Sequence, residues 1–171
     1  MNWLSPRRAF LLAAAVPAAL LAFGYFLQYV QGLQPCPLCL VQRGFFYAVI
    51  AVCVVAALHG PGTKGIVAYA ALSGLFALGG AAVAARQVWL QHLPPDKVPQ
   101  CGPDLFFMLE NFALSRVLKT VLITGTGECA VVDWTFLGFS IAEWALGWFV
   151  ALALYMAWLA TRSIRSRPAA A

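Results

Sequence analysis

Charge is what this sequence has least of. Only 10% of its 171 residues are Asp, Glu, Lys or Arg, against roughly a quarter in an ordinary soluble domain. The hydrophobic fraction is 63%, which is more apolar surface than a chain of this length can bury in a water-soluble core. The composition therefore excludes a soluble globular domain and indicates a membrane protein.

Most of the few charged residues lie outside four apolar runs. These runs cover residues 10–30, 40–58, 66–90 and 144–160. At ~1.5 Å per residue, a helical run of about 17 residues or more crosses most or all of a hydrocarbon core of roughly 30 Å. We therefore predict an all-α membrane protein, a four-transmembrane-helix bundle forming a single domain over 1–171, with outer loops at about 31–39 and 91–143.

The basic residues predict the orientation of this bundle. Six of them flank the spans on one side: Arg7, Arg8, Lys64, Arg162, Arg165 and Arg167. All the acidic residues lie in or beside the long loop on the other side. By the positive-inside rule both termini are cytoplasmic and the cysteine loops face the opposite side, which is the periplasm if the membrane is a bacterial inner membrane. The net charge of +5 is then a topology signal and does not support nucleic acid as a partner.

The N-terminus also has features of a cleaved export signal, namely a basic start followed by an apolar stretch with small residues. The apolar run nevertheless continues to Val30, beyond the usual length of such a signal. Cleavage would also remove a helix and leave an odd number of spans. We therefore expect the first span to be retained.

Cysteine is also scarce, yet four of the five cysteines fall in the outer loops. Cys36 and Cys39 lie in the first loop, and Cys101 and Cys129 lie in the second. In an oxidising periplasm, disulfides between such residues are expected to form and persist. Cys53 lies in mid-span, where we expect a small buried hydrophobe.

The segment Cys-Pro-Leu-Cys at 36–39 allows three interpretations. A zinc site needs a second close pair or histidines at ligand spacing, and because the chain offers neither, we predict no metal. A structural disulfide would close so short a loop that it removes little chain entropy from the unfolded state. A redox pair needs no further ligand, and a helix start favours the thiolate. The redox interpretation is favoured, and the structural one stays open.

Arg43 stands one helical turn after Cys39. From there it can add positive charge beside the sulfurs, or donate hydrogen bonds to an oxygen that becomes negative, such as a quinone carbonyl. The alternative is an interfacial arginine that extends its head to water and has no further function. For Arg86, near the outer end of the third span, this alternative is the favoured one.

Together these residues resemble the disulfide bond formation protein B (DsbB) family. The resemblance rests on a Pro-Cys-x-x-Cys ahead of the second of four spans and on an arginine four residues after its second cysteine. Two cysteines in the long outer loop and the segment WTFLGFSIAEWALG at 134–147, which leads into the last span, complete it. The resemblance covers nearly the whole chain in order.

The resemblance implies a membrane oxidase that reoxidises a periplasmic DsbA-like dithiol oxidase. Cys101 and Cys129 would form the disulfide that the reduced partner attacks. Electrons would then pass by thiol–disulfide exchange to Cys36 and Cys39, and from there to the membrane quinone pool, either ubiquinone or menaquinone. Arg43 would be the quinone-side residue.

Two further features lie beyond the third span. His92 is similar to a family histidine close to the quinone, and an interfacial histidine without a role is the alternative. Residues 104–124 have the pattern of an amphipathic helix with Phe107 and Val117 on its apolar face. Such a helix can lie in the lipid interface without crossing the membrane, and there it would hold the exchange loop near the bilayer.

Two other functions are compatible with four spans and a Cys-x-x-Cys. A quinone reductase of the vitamin K epoxide reductase type is expected to carry its essential pair in a late span, and the fourth span here has no cysteine. A disulfide-stapled membrane scaffold or small transporter without redox turnover would tolerate replacement of Cys36 and Cys39. Because few charges lie within the spans, an ion pathway is disfavoured.

Overall fold

The structure is a computed structural model that describes residues 5–99, 105–113, 115, 119–120 and 127–165. Cys101 lies outside the described residues, as does part of the helix expected at 104–124. Arg167, one of the six basic residues that predict the orientation, lies outside them as well.

Four of the described helices are long and apolar enough to cross a membrane. In chain order the helices are α1 (Pro6–Val30), α2 (Pro37–His59), α3 (Thr63–Gln91), the short α4 (Leu105–Asn111) and α5 (Ile141–Arg165). Each of the four long helices contains one of the four apolar runs of the sequence. The predicted fold class, a helical membrane protein with four spans, is confirmed.

Polar side chains cap two of the long helices. The side-chain oxygen of Ser5 accepts a hydrogen bond from the N–H of Arg8 at 3.5 Å and so caps the start of α1. A capping box starts α5, since Glu143 Oε2 accepts from the N–H of Ser140 at 2.6 Å and Ser140 Oγ accepts from the N–H of Glu143 at 3.3 Å. Ser140 Oγ also donates to Gln91 Oε1 at 2.8 Å, which joins the start of α5 to the end of α3.

Small residues on α3 allow aromatic rings from both neighbouring helices to pack against it. Helix α3 contacts both α2 and α5, and α1 packs on α2. A Cβ atom on Gly79 would lie 2.7 Å from the ring of Phe45, and one on Gly80 would overlap the ring of Phe149. Phe149 also stacks on Phe46, with ring centroids 4.0 Å apart. Close approach over small residues, typical of membrane helices, thus forms the core of the bundle.

The helix predicted over 104–124 is interrupted among the residues that the structure describes. Helix α4 covers Leu105–Asn111, the chain bends at Phe112, and the described residues 115, 119 and 120 are helical again. The side chain of Asn111 donates from Nδ2 to the carbonyl of Phe107 at 2.9 Å, so it occupies a backbone acceptor of the last helical turn. Asparagine ends helices in this way because its amide competes for the backbone groups that continue them.

A small β-hairpin, which the sequence analysis did not predict, precedes α5. Its antiparallel strands are β1 (Thr135–Phe136) and β2 (Phe139–Ser140). Leu137 and Gly138 form the turn, both with positive φ, at 54° and 84°. Two adjacent residues of positive φ match the twist of a two-residue hairpin, and glycine at the second adopts this conformation at low cost. The hairpin brings the rings of Phe136 and Phe139 close to Trp144 of α5.

Candidate functional site

Cys36 and Cys39 form the first turn of α2. Cys36 is the capping residue, and its Sγ accepts a hydrogen bond from the N–H of Cys39 at 3.4 Å. The Cys36 thiol donates to Sγ of Cys39, with the two sulfurs 3.1 Å apart. Since a disulfide bond measures about 2.05 Å, a movement of roughly 1 Å would join the two sulfurs. The Cys-x-x-Cys spacing at a helix start is what brings them together.

Cys129, from the segment between α3 and α5, lies against this pair. It is buried in the 3₁₀ turn Gly127–Ala130, in an apolar cluster with Leu38 and Leu90, and Cys36 packs against that cluster. The side chains of Cys36 and Cys129 are also hydrogen-bonded to one another. Three of the four predicted redox cysteines therefore meet at one place, and the fourth, Cys101, lies outside the described residues.

These contacts raise the pKa of the Cys36 thiol above its ordinary value. The hydrogen bond to Cys129 is the largest cause, the hydrogen bond to Cys39 is the second, and burial adds to both. A hydrogen bond that the protonated thiol donates is lost when the thiol ionises, so it opposes ionisation. The positive end of α2 was expected to lower the pKa of a thiol there. At Cys36 the hydrogen bonds and burial outweigh it, and the pKa is raised.

Two buried glutamines that the sequence analysis did not select adjoin the sulfur pair. Gln87 on α3 is 3% exposed, and its Nε2 donates to Sγ of Cys36 and to Sγ of Cys39, both at 3.3 Å. Its Oε1 accepts from Nε2 of Gln42 on α2 at 2.7 Å. The signal in the sequence was an amide inside an otherwise apolar span, because a buried amide is costly unless it is hydrogen-bonded.

Arg43 is held by helix α1. Its Nη1 donates to Gln28 Oε1 at 2.6 Å and its Nη2 donates to the carbonyl of Gly24 at 3.4 Å. The guanidinium carbon also lies 4.8 Å from the centroid of the Tyr25 ring. Three groups of one helix therefore hold the half-buried Arg43 against α1, which differs from an arginine that extends freely to water.

A cavity of about 910 Å³ lies beside these residues. Cys36, Cys39, Arg43 and Gln87 contribute polar groups to its wall. The remaining wall is largely apolar or aromatic and includes Leu20, Phe23, Leu27, Trp134, Trp144 and Trp148. Cavities of roughly 300–1,000 Å³ with apolar walls and a few placed polar groups are typical of small-molecule sites. This one suits an apolar ring compound that carries a hydrogen-bond acceptor.

His92 is not among the residues that line this cavity. It is exposed at the end of α3, where its Nδ1 donates to the carbonyl of Val88 at 2.8 Å. Gln91, one residue earlier, lines the cavity instead. The quinone-side role of His92 therefore stays a prediction.

Known proteins are similar to this chain over most of its length. The DsbB family model, described as disulfide bond formation protein DsbB, matches residues 6–159. The disulfide bond formation protein B of Hahella chejuensis is 51% identical over 148 residues, covering 86% of this chain and 89% of that protein. Its counterpart in Methylococcus capsulatus is 50% identical over 151 residues, covering 88% and 92%. Its counterpart in Azoarcus sp. is 49% identical over 153 residues, covering 90% and 91%.

Proposed function

Because the chain belongs to the DsbB family of disulfide bond formation proteins, we propose that it reoxidises a DsbA-like periplasmic dithiol protein and passes the two electrons to a membrane quinone. Family membership makes it a helical membrane protein of disulfide bond formation. The proposal adds the soluble partner, the quinone and the roles of individual residues.

The observation that carries the proposal is the contact between Cys129 and Cys36. Thiol–disulfide exchange requires a thiolate sulfur to approach a disulfide sulfur directly. Cys129 belongs to the long outer loop and is buried against the first pair, so exchange between the loops needs no large movement of that turn. A scaffold held by two independent disulfides has no need for such a contact.

The proposed relay first transfers electrons from the soluble partner to the outer loop. A thiolate of the reduced partner attacks the disulfide formed by Cys101 and Cys129, and a mixed disulfide results. The second thiol of the partner then attacks this mixed disulfide. The partner leaves with a disulfide, and Cys101 and Cys129 remain as a reduced dithiol. Cys129 then attacks Cys36, Cys39 leaves as a thiolate, and Cys101 resolves the new bond. At the end the first pair is reduced.

The residues around the cavity fit a quinone. Its apolar walls suit the ring and the start of an isoprenoid tail, and Cys39 and Arg43 both line it. A bound quinone would supply the two-electron acceptor. Arg43 would donate a hydrogen bond to a quinone carbonyl oxygen and stabilise negative charge there. Since Gln28 holds the guanidinium, this donor is oriented before the quinone binds.

Quinone reduction by the full-length protein in detergent tests the proposal, with a reduced DsbA-like protein as electron donor. The variants to compare are Cys36→Ser, Cys39→Ser, Cys101→Ser and Cys129→Ser, and Cys53→Ser is the matched control because Cys53 lies buried beside Ser73, away from the cavity. We expect all four variants to lose turnover and the control to keep it. Undiminished turnover without Cys36 or Cys39 would refute the relay, and no turnover by the parent protein would favour the scaffold.

The proposal also includes sidedness, with both termini cytoplasmic and the cysteine loops periplasmic. Val131 and Lys64 are exposed at opposite ends of the bundle. In spheroplasts of the host, a membrane-impermeant maleimide should therefore label Val131→Cys and leave Lys64→Cys unlabelled. The reverse pattern would overturn the proposed orientation and leave the redox relay untouched.

A further inference from the structure

The amide of Gln87 reaches both sulfurs of the first pair through one nitrogen. Its Nε2 lies 3.3 Å from Sγ of Cys36 and 3.3 Å from Sγ of Cys39. The Cys39 thiol also approaches Oε1 of the same amide at 3.5 Å. The side chain can thus accept a hydrogen bond from a protonated Cys39 and donate one to an anionic sulfur. A group with both capabilities suits a pair whose protonation changes during turnover.

Gln42 fixes which end of that amide faces the sulfurs. Its Nε2 donates to Oε1 of Gln87 at 2.7 Å, and this hydrogen bond is buried. Because Oε1 is engaged on the α2 side, Nε2 of Gln87 is turned toward the sulfurs. Both glutamines are almost fully buried, at 4% and 3% exposure. Two amides at this depth cost free energy that leucine or methionine would not, so packing alone does not account for them.

We propose that Gln87 is a catalytic hydrogen-bond donor to the sulfur that becomes anionic when the Cys36–Cys39 disulfide opens, and that Gln42 is the positioning residue that orients it. This inference rests on the proposed function, in which the first pair alternates between disulfide and dithiol. Hydrogen bonds to a charged acceptor are about twice as strong as neutral ones, so the donor acts most at the moment the charge forms.

The assisted step is balanced without any further reactant. An incoming thiolate attacks Sγ of Cys36 and a new sulfur–sulfur bond forms. The bond between Cys36 and Cys39 breaks, and its electron pair stays on Sγ of Cys39, so one thiolate is consumed and one is released. No proton moves in this step. Nε2 of Gln87 donates to Sγ of Cys39 while the negative charge forms there, which makes Cys39 a better leaving group.

Opening of the first disulfide by a small thiol tests the inference without partner or quinone. The oxidised full-length protein is exposed to glutathione in detergent, quenched in acid and alkylated, and reduced Cys36 and Cys39 are quantified by peptide mass spectrometry. Gln87→Met keeps the length of the side chain and removes the donor. Ser73→Ala is the matched control, since it removes a different buried polar contact of α3, at 3.6 Å from Cys53.

We expect Gln87→Met to slow the opening about ten- to a hundredfold, because this is the effect of losing one hydrogen bond to a charged group. Gln42→Met should slow it less, by about three- to tenfold, because Gln87 remains but its amide is no longer oriented. Ser73→Ala should open at the parent rate. A parent rate in Gln87→Met would overturn the inference, and if that variant does not fold, a parent rate in Gln42→Met would do so.

A pH series separates a donor from a merely structural residue. In Gln87→Glu a protonated carboxyl group can still donate to the sulfur, whereas the carboxylate repels it. The opening rate of Gln87→Glu relative to Gln87→Met should therefore rise as the pH is lowered. Equal ratios at every pH would contradict the donor role. The glutathione assay needs no soluble partner, so the two proposals can fail separately. If Gln87→Met opens slowly but the parent protein does not reduce quinone, the relay is refuted and the donor role of Gln87 stands.

Discussion

Replacing Gln28 with leucine should weaken quinone binding while leaving Arg43 in place. Gln28 Oε1 accepts the shortest hydrogen bond of the guanidinium, 2.6 Å from Nη1. A hydrogen bond to a charged group is worth about 1.5–3 kcal/mol. Arg43 keeps its contacts to the Gly24 carbonyl and the Tyr25 ring in this variant. We therefore expect a loss below that range, about 1 kcal/mol, or roughly fivefold in the quinone KM.

The assay is steady-state quinone reduction at varied quinone concentration, with the reduced soluble donor held in excess. Arg43→Leu should raise the quinone KM more than Gln28→Leu does, since it removes the donor itself. The double variant should be no worse than Arg43→Leu alone, because Gln28 acts only through the guanidinium. Tyr47→Phe is the matched control, as it removes the 2.8 Å hydrogen bond to Tyr25 but no hydrogen bond of Arg43.

Two outcomes would refute this reasoning. An unchanged quinone KM in Gln28→Leu, with a raised one in Arg43→Leu, would mean that the guanidinium needs no orientation by α1. Additive losses in the double variant would mean that Gln28 contacts the quinone independently of Arg43.

Three further predictions concern the cysteine contact and the packing of the helices. Cys129→Ala removes the main cause of the raised pKa of Cys36, so that pKa should fall and iodoacetamide should alkylate Cys36 faster at pH values near neutrality; an unchanged rate would contradict the contact. Gly80→Leu places a side chain where the ring of Phe149 lies, and it should lower the free energy of unfolding by at least about 1–3 kcal/mol in a detergent melt. Gly60→Ala, at φ 60°, should cost about 1 kcal/mol in the same melt, and equal melting temperatures for parent and variant would refute it.

The first cysteine pair was predictable because it depends only on interactions within one helical turn. A Cys-x-x-Cys at a helix start places its sulfurs within one turn, and the 3.1 Å contact of Cys36 and Cys39 follows from that geometry alone. The four spans were predictable for a similar reason, because bilayer thickness requires long apolar helices whatever their neighbours are. The short hairpin and the interruption after α4 depend on local features, the positive φ of Gly138 and the side-chain hydrogen bond of Asn111, which the wider pattern did not predict.

The sequence by itself determined the class of protein, the number of spans, the first cysteine pair and the arginine one turn after it. Those features depend on composition and on contacts within one helical turn. Only the tertiary structure decided that Gln87 reaches the sulfurs, that Cys129 is buried against Cys36 and that His92 lies off the cavity wall. Helix α3 is apolar on nearly every side, so its sequence does not specify which face turns inward. That rotation is set by packing against α2 and α5, where Gly79 and Gly80 admit aromatic rings.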